Sequence, residues 1–386
     1  MLVAGGAHAS LNPDEVIRGP FNAICVGEGE YPMLELVEHL ERGLQPTSIS
    51  NLWFKTPSSV QKNPTRPFIP NLDELTFPDR DIWLEWIQEN IDSRFSVLLG
   101  RGCPFECSYC CNHAFSKQAE GKYVRFRSPE NILAEIKSLH DQFPERREIF
   151  FEVETFNINQ EWFSELCRQL KAFNDTLKER MTFGTKIRIT PRADYDELFS
   201  RCVEAGIVKF TVGLESGCER VRREVMRRHY SNVDVLRMAE SARKCSCSFG
   251  FQNMIGLPTE TEQEFLETVA LNRVCEPDWS YLHIFFPYPG TDLAQQCAKM
   301  GLLNHPVDMR QERSKAVLSL PTFPRARIQR RYVRFAFDVY RGKKPLFKIL
   351  PRVVHDLCKS NQTINSLIYG IMRFRFFRKI RNRLLG

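Results

Sequence analysis

No run of 18 apolar residues occurs in the 386-residue chain, so no segment reads as a membrane-spanning helix. The opening residues, MLVAGGAHASLNP, lack the basic flank and long apolar core of a secretory leader. There is no internal repeat beyond an alternation of strand-like and helix-like segments. Acidic residues are scarce in one region only. Residues 325–386 hold 17 Lys or Arg against Asp338 and Asp356, a balance of +15; the other 37 basic and 45 acidic residues leave −8 for the rest of the chain. A mildly acidic body with a strongly basic tail favours an anionic partner for that tail. Cysteine is not scarce: there are 13, an odd number, scattered except for Cys103, Cys107, Cys110 and Cys111. One tight cluster in a long chain without a leader argues for a metal or redox centre and against a disulfide framework. A hydrophobic content of 42% and a mean hydropathy of −0.35 exclude wholesale disorder and suffice for two or three units with their own cores.

Residues 1–43 alternate short apolar runs, LVAGG and NAICVGEGE, with the helical spacing of PMLELVEHLERG. This is βαβα grammar, typical of a parallel sheet, but two strands are too few for an independent doubly wound domain. Either part of a domain is missing, or these elements dock on the rest of the protein. Residues 44–94, rich in Pro, Asn and Asp, read as a linker. From residue 95 the grammar returns. Strands are expected at FSVLLG, REIFFEV, IRITPR, VKFTVGLE, FGFQNMIG and SYLHIFF, separated by five helical stretches from PENILAEIKSLHDQF to EQEFLETVALNRVC. Six successive βα units over 95–300 imply a parallel sheet curved into a partial or full barrel, with ligands at the C-terminal strand ends. Residues 301–386 form a basic, aromatic-rich helical region.

The loop after the first of these strands, LLGRGCPFECSYCCNHAF, gives Cys103, Cys107 and Cys110 the spacing C-x3-C-x2-C. Three thiolates with one position left open suit an iron–sulfur cubane whose fourth iron is available to a substrate. His113 offers the alternative of a structural Cys3His zinc site, and Cys111 reads as a bystander.

With Tyr109 in its aromatic slot, this loop resembles the signature of the radical S-adenosylmethionine (SAM) superfamily. The resemblance implies a [4Fe-4S] cluster on Cys103, Cys107 and Cys110, SAM as a second cofactor, and a 5′-deoxyadenosyl radical as the oxidant of substrate. VGLESG (212–217) resembles the family's fourth-strand motif and implies a SAM contact for Glu215; MRRHYS (226–231) implies another for Arg228. MIGLPTET (254–261) is similar to the fifth-strand motif, whose backbone at Gly256 and Pro258 lines the adenine site, and FPYPGTDL (286–293) resembles the sixth-strand exit. After the second strand this branch usually carries paired aspartates. Here FEVETF places Val153 at the first, leaving Glu154 as the polar contact, with Glu152 as a candidate for the displaced second carboxylate.

GGAHAS and GEGE resemble the last third of a cobalamin-binding Rossmann domain upstream of such a barrel. The D-x-H-x-x-G ligand motif of that class is absent, and His8 reads as a loop histidine, not as a cobalt ligand. Cobalamin is therefore implied by ancestry, while tight binding by this chain alone is not expected. The whole reads as an α/β protein: a partial (βα)6 radical SAM barrel preceded by a truncated remnant of a Rossmann-like cobalamin-binding domain, with a basic helical C-terminal extension. The implied activity is radical methylation, cyclisation or rearrangement of an unidentified substrate, with a flavodoxin- or ferredoxin-type electron donor. A tRNA methylthiotransferase-like enzyme and a non-catalytic zinc or iron–sulfur scaffold are the alternatives. The tail, including a last helix with Tyr369, Met372, Phe376 and Phe377 on one side, reads as a cap docked on the barrel or a helix on an anionic membrane, ahead of a nucleic-acid contact. The expected location is the cytoplasm, peripheral to the membrane in the second case.

Overall fold

The computed structural model describes residues 1–89, 94–303 and 308–361; the helix expected near 369–384 lies outside them. The chain divides into two compact units. The first comprises Met1–Arg146, Phe151–Glu154 and Pro287–Gln296; the second comprises Arg147–Phe150, Thr155–Phe286 and the chain from Cys297 onward.

The first unit opens with a four-stranded sheet in sequential order: β1 (Val3–Ala4), β2 (Ala23–Cys25), β3 (Leu52–Lys55) and β4 (Val60–Lys62). β1 and β2 run parallel, and β3 and β4 add antiparallel. Helices α1 (Ala7–Leu11) and α2 (Pro13–Val16) connect the first two strands, and α3 (Glu30–Glu41) follows the second. Side chains alternate across a strand, so β2 serves two cores. Ala23 and Cys25 pack with Leu36, Leu52 and Phe54, whereas Ile24 packs with Ala9, Ile17 and Val26. This corrects the linker expected over 44–94, because its first half contributes two strands. Asn63 closes the connection by donating from Nδ2 to the carbonyls of Thr47, Ile49 and Leu52, each at 2.9 Å. His8 is also corrected: it stands on α1, exposed, not in a loop. The unit continues through α4 (Leu84–Glu89), β5 (Phe95–Leu98), β6 (Gly100–Arg101), α5 (Cys111–Phe115), β7 (Arg125–Phe126) and α6 (Pro129–Gln142).

Strand β8 (Glu148–Glu152) is shared. Its first residues belong to the second unit and its last to the first. The second unit then alternates α7 (Gln160–Thr176), β9 (Thr182–Ile187), α8 (Tyr195–Ala205), β10 (Ile207–Glu215), α9 (Asn232–Lys244), β11 (Ser248–Ile255), α10 (Glu262–Cys275) and β12 (Trp279–Ile284). Strands β9 to β12 pair in parallel. The sheet order β12-β11-β10-β9-β8-β5 is sequential from one edge to the other, as in the expected partial barrel. The third strand departs from expectation: it is TFGTKI, and IRITPR forms its exit. Pro191 has no N–H for a ladder, and Gly184 sits where a Cβ would come within 2.9 Å of the Phe150 ring. Phe163, Phe183, Phe199, Phe210, Phe249 and Phe251 are among the largest fully buried side chains of the core. Asn253, Asn272 and Ser280 close a buried ring of hydrogen bonds of 2.6–2.9 Å that registers α10 against β11 and β12.

Beyond α11 (Asp292–Lys299), helices α12 (Arg325–Tyr340) and α13 (Leu346–Ser360) complete the unit. Ile328, Tyr332, Phe335 and Val339 of α12 are buried, and Arg327 and Arg331 both reach Glu262 at the start of α10. The region after residue 300 is therefore, through α12, a cap on the barrel and part of its core, not a separate appendage.

Candidate functional site

The cysteine loop leaves β6 through Gly102, whose φ is +86°. A Cβ there would lie 2.2 Å from the Tyr123 carbonyl oxygen, so only glycine lets the chain turn against the β7 segment at this point. Cys107 is buried, and Cys103, Cys110 and Cys111 are half-buried. Burial pushes the Cys110 thiol up to about 12. A hydrogen bond from the Asn112 backbone opposes this, whereas Cys111, Cys107 and Glu154 reinforce it. Burial likewise raises the Tyr123 hydroxyl, with further contributions from Cys110, Glu154, Cys103 and Cys111. Cys103, Cys107, Cys110, Cys111, Glu154 and Tyr123 thus share one electrostatic neighbourhood. Tyr123 was not found from sequence: it donates to Asn112 Oδ1 at 2.7 Å and comes from a segment without periodicity. Tyr109 is half-buried within the loop.

One other segment of this unit holds the loop at two points. Leu293, in the FPYPGTDL exit, donates its N–H to the carbonyl of Ser108 at 2.8 Å, and Asp292 Oδ2 lies 3.5 Å from His113 Nε2. Among the described residues no group of three His, Cys, Asp or Glu side chains is disposed to hold a single metal ion. A Cys3His zinc site needs its donors on one ion, whereas a cubane spreads its thiolates over different irons.

Glu28 of the GEGE turn is an anchor. Its carboxylate accepts from Arg125 at 2.9 and 3.0 Å, from Arg101 at 2.9 Å and from the Ile69 N–H at 2.8 Å. Burial works to raise its pKa, but these hydrogen bonds, Arg125 foremost, hold it below the ordinary carboxylate value. Next to this anchor lies a cavity of about 590 Å³ whose wall includes Gly5, Gly6, Gly27, Gly29, Gly100 and Gly102, together with Tyr123 and Glu154. Glycines leave backbone, not side chains, facing that space. Glu152 lines a different cavity from Glu154, and Val153 between them is buried.

In the second unit β10 ends at Glu215, a non-glycine residue with φ +63°, a strained conformation of the kind that gathers at functional sites. Arg228 Nη1 lies 3.4 Å from Glu215 Oε1, and Arg228 Nη2 donates to the Gly213 carbonyl at 2.7 Å. The Arg228 guanidinium also lies 5.3 Å from the centre of the Tyr230 ring. Arg228 is buried and Arg227 exposed, which favours Arg228 at this position. Ser231 and Asp234 form a capping box that starts α9 directly afterwards. At the end of β11 the turn at Gly256 (φ +80°) is held by Glu260, whose Oε2 accepts from Gly256 N at 2.6 Å and Leu257 N at 3.2 Å. Burial pushes the Glu260 carboxyl up to about 8 against those hydrogen bonds. Pro258 is buried within this turn. Glu260 was overlooked in the sequence, where MIGLPTET drew attention to its glycine and proline.

Residues 97–271 match the radical SAM superfamily. Among curated proteins, the chain is 28% identical over 307 residues to an uncharacterised methyltransferase of Pyrococcus horikoshii, covering 78% of this chain and 64% of the relative. It is 26% identical over 307 residues to the anaerobic magnesium-protoporphyrin IX monomethyl ester cyclase of Rubrivivax gelatinosus, covering 77% and 53%. The chain thus spans between about half and two thirds of the length of these relatives. Among solved structures it resembles the radical SAM methyltransferase TsrM from Kitasatospora setae with cobalamin and a [4Fe-4S] cluster bound, with a TM-score of 0.63 and 16% identity over 86% of this chain and 64% of that one. At that identity the likeness is one of fold.

Proposed function

We propose, from the match of residues 97–271 to the radical SAM superfamily, that the chain holds a [4Fe-4S] cluster on Cys103, Cys107 and Cys110 and modifies an organic substrate by methylation, cyclisation or rearrangement. The observation that carries this reading is the shared neighbourhood of the three thiols with Glu154 and Tyr123, on a loop pinned by Gly102 and Leu293. When bound, the cluster and SAM supply a 5′-deoxyadenosyl radical that takes hydrogen from the substrate.

The residues of this chain have separable tasks in the proposal. Cys110 keeps its proton on Sγ at neutral pH, so loading with iron releases that proton and couples assembly of the cluster to pH. Glu154 presents a carboxylate to an ammonium group. Arg228 offers a guanidinium to a carboxylate while Glu215 orients it, and the Gly256–Pro258 turn presents backbone to a planar base. A low-potential flavodoxin or ferredoxin is the electron donor this chemistry calls for. The wall of the glycine-lined cavity includes no histidine among the described residues. That cavity does not fit a cobalt held by an imidazole of this chain, and no step is assigned to cobalamin.

The test is anaerobic reconstitution followed by iron and sulfide analysis and low-temperature EPR. The wild type should take up about four irons and four sulfides. Cys107→Ala should abolish uptake, and Cys111→Ala should retain most of it. Stoichiometric zinc without iron would contradict the proposal.

A further inference from the structure

Arg222 is a cation buried completely in the second unit, and its donors go to neutral acceptors. Nη1 donates to the Ser216 carbonyl at 2.6 Å, and Nη2 donates to the Tyr230 carbonyl at 3.2 Å and to Asn232 Oδ1 at 2.7 Å. The carboxylate of Glu219, which is half-exposed, lies 3.8 Å away. Nε has no acceptor among the described residues. Burial foremost lowers the Arg222 pKa, and Arg228 adds to the effect. Such a group is a poor choice for packing alone, because an apolar side chain of similar volume fills a core site without a buried charge to stabilise.

What Arg222 joins is a segment with a strained residue at each end. Glu215 and Arg227 have φ of +63° and +55°, left-handed values that non-glycine residues keep only where their neighbours enforce them. Between them runs a π-helical turn, Val221–Val225, a form that recurs at functional sites. Through its side chain Arg222 binds Ser216, the residue after the first strained position. Through its backbone it binds Arg228, the residue after the second: the Arg222 carbonyl accepts from Arg228 N at 2.8 Å. The Tyr230 ring lies against both guanidinium groups, 4.7 Å from that of Arg222 and 5.3 Å from that of Arg228. Its hydroxyl lies 2.7 Å from the Leu214 carbonyl and 3.2 Å from the Gly213 carbonyl, and the latter also accepts from Arg228 Nη2 at 2.7 Å. One buried side chain thus ties the exit of β10, the π-helical turn and the start of α9 together around the Glu215–Arg228 pair.

We propose that Arg222 is a positioning residue for SAM: it holds Glu215 and Arg228 in the geometry in which Arg228 receives the SAM carboxylate, without touching SAM itself. This rests on the reading of Arg228 as the partner of that carboxylate. Anaerobic equilibrium dialysis of the reconstituted full chain tests it, with SAM and with decarboxylated SAM, which lacks only the carboxylate. The quantity read is the preference for SAM over the decarboxylated form; a general disturbance of the fold weakens both ligands and leaves that ratio unchanged. Arg222→Leu, which keeps the site filled, should reduce the preference ~10-fold or more, the scale of one hydrogen bond to a charged group, at unchanged circular dichroism and iron content. Tyr230→Phe, which keeps the ring and removes the hydroxyl, should reduce it ~3-fold or more, and decides the matter if Arg222→Leu does not fold. Arg228→Ala should reduce it at least as far as Arg222→Leu. A loss in Arg228→Ala with none in Arg222→Leu and Tyr230→Phe would overturn this proposal and leave the reading of Arg228 standing. So would an equal loss of both ligands in the Arg222 and Tyr230 variants. An undiminished preference in Arg228→Ala would overturn both.

Discussion

Two carboxylates at turns, Glu28 half-buried and Glu260 fully buried, behave in opposite ways, and their partners account for much of the difference. Glu28 accepts from two arginines and is held ionised, whereas Glu260 accepts only from backbone and is pushed up to about 8. For Glu260 the folded state retains a proton that the unfolded chain releases above about 4.5. Its contribution is therefore most favourable below that value, and stability is lost as the pH rises toward 8. Glu260→Gln keeps an acceptor for Gly256 and Leu257 and removes the titration. Urea unfolding should show the variant gaining on the wild type between pH 5 and pH 8; a difference that does not change with pH would refute the assignment. The cysteines stood out in the sequence through their spacing, and Glu215 through the resemblance of VGLESG to a family motif. Glu28 and Glu260 act as anchors, and their role was invisible, because it depends on donors brought from Arg125, Ile69 or a neighbouring turn by the fold.

Strands β10, β11 and β12 were legible because their sequences are β-branched or aromatic and bounded by clear breaks. Strand β9 was displaced by about five residues in the sequence reading, since TFGTKI has a glycine and a lysine where propensity argues against a strand. What makes it a strand is pairing in register with β10, from Ile207↔Phe183 to Val212↔Ile187. The β3–β4 hairpin was missed for the same reason: three- and four-residue strands between Pro- and Asn-rich flanks are specified by the distant β2. The turn that launches the cysteine loop is an element-scale device with its own test. Gly102→Ala adds a Cβ in a left-handed conformation against the Tyr123 carbonyl, a conflict costing about 1–3 kcal/mol. The variant should stay folded by circular dichroism but lose at least half of its reconstituted iron. Full iron content in the variant would show that the loop has a freedom the backbone geometry denies it.

Across the whole molecule, the division of charge follows the division of tasks. The cysteine loop and the glycine-lined cavity belong to one unit, the Glu215–Arg228 pair and the Gly256 turn to the other, and the positive charge is concentrated after residue 324. The cap formed by α12 carries part of that charge into ion pairs with Glu262, while α13 leaves Phe347, Leu350 and Val354 exposed. Residues 97–271 match the radical SAM superfamily; that this chain performs radical SAM chemistry is the central claim. The most direct measurement is the yield of 5′-deoxyadenosine from SAM by the reconstituted, dithionite-reduced protein, with the Cys107→Ala variant as the reference. The account predicts slow formation of 5′-deoxyadenosine and methionine by the wild type, even without the natural substrate, and none by the variant. An iron-loaded, reduced wild type that binds SAM and leaves it intact would contradict it.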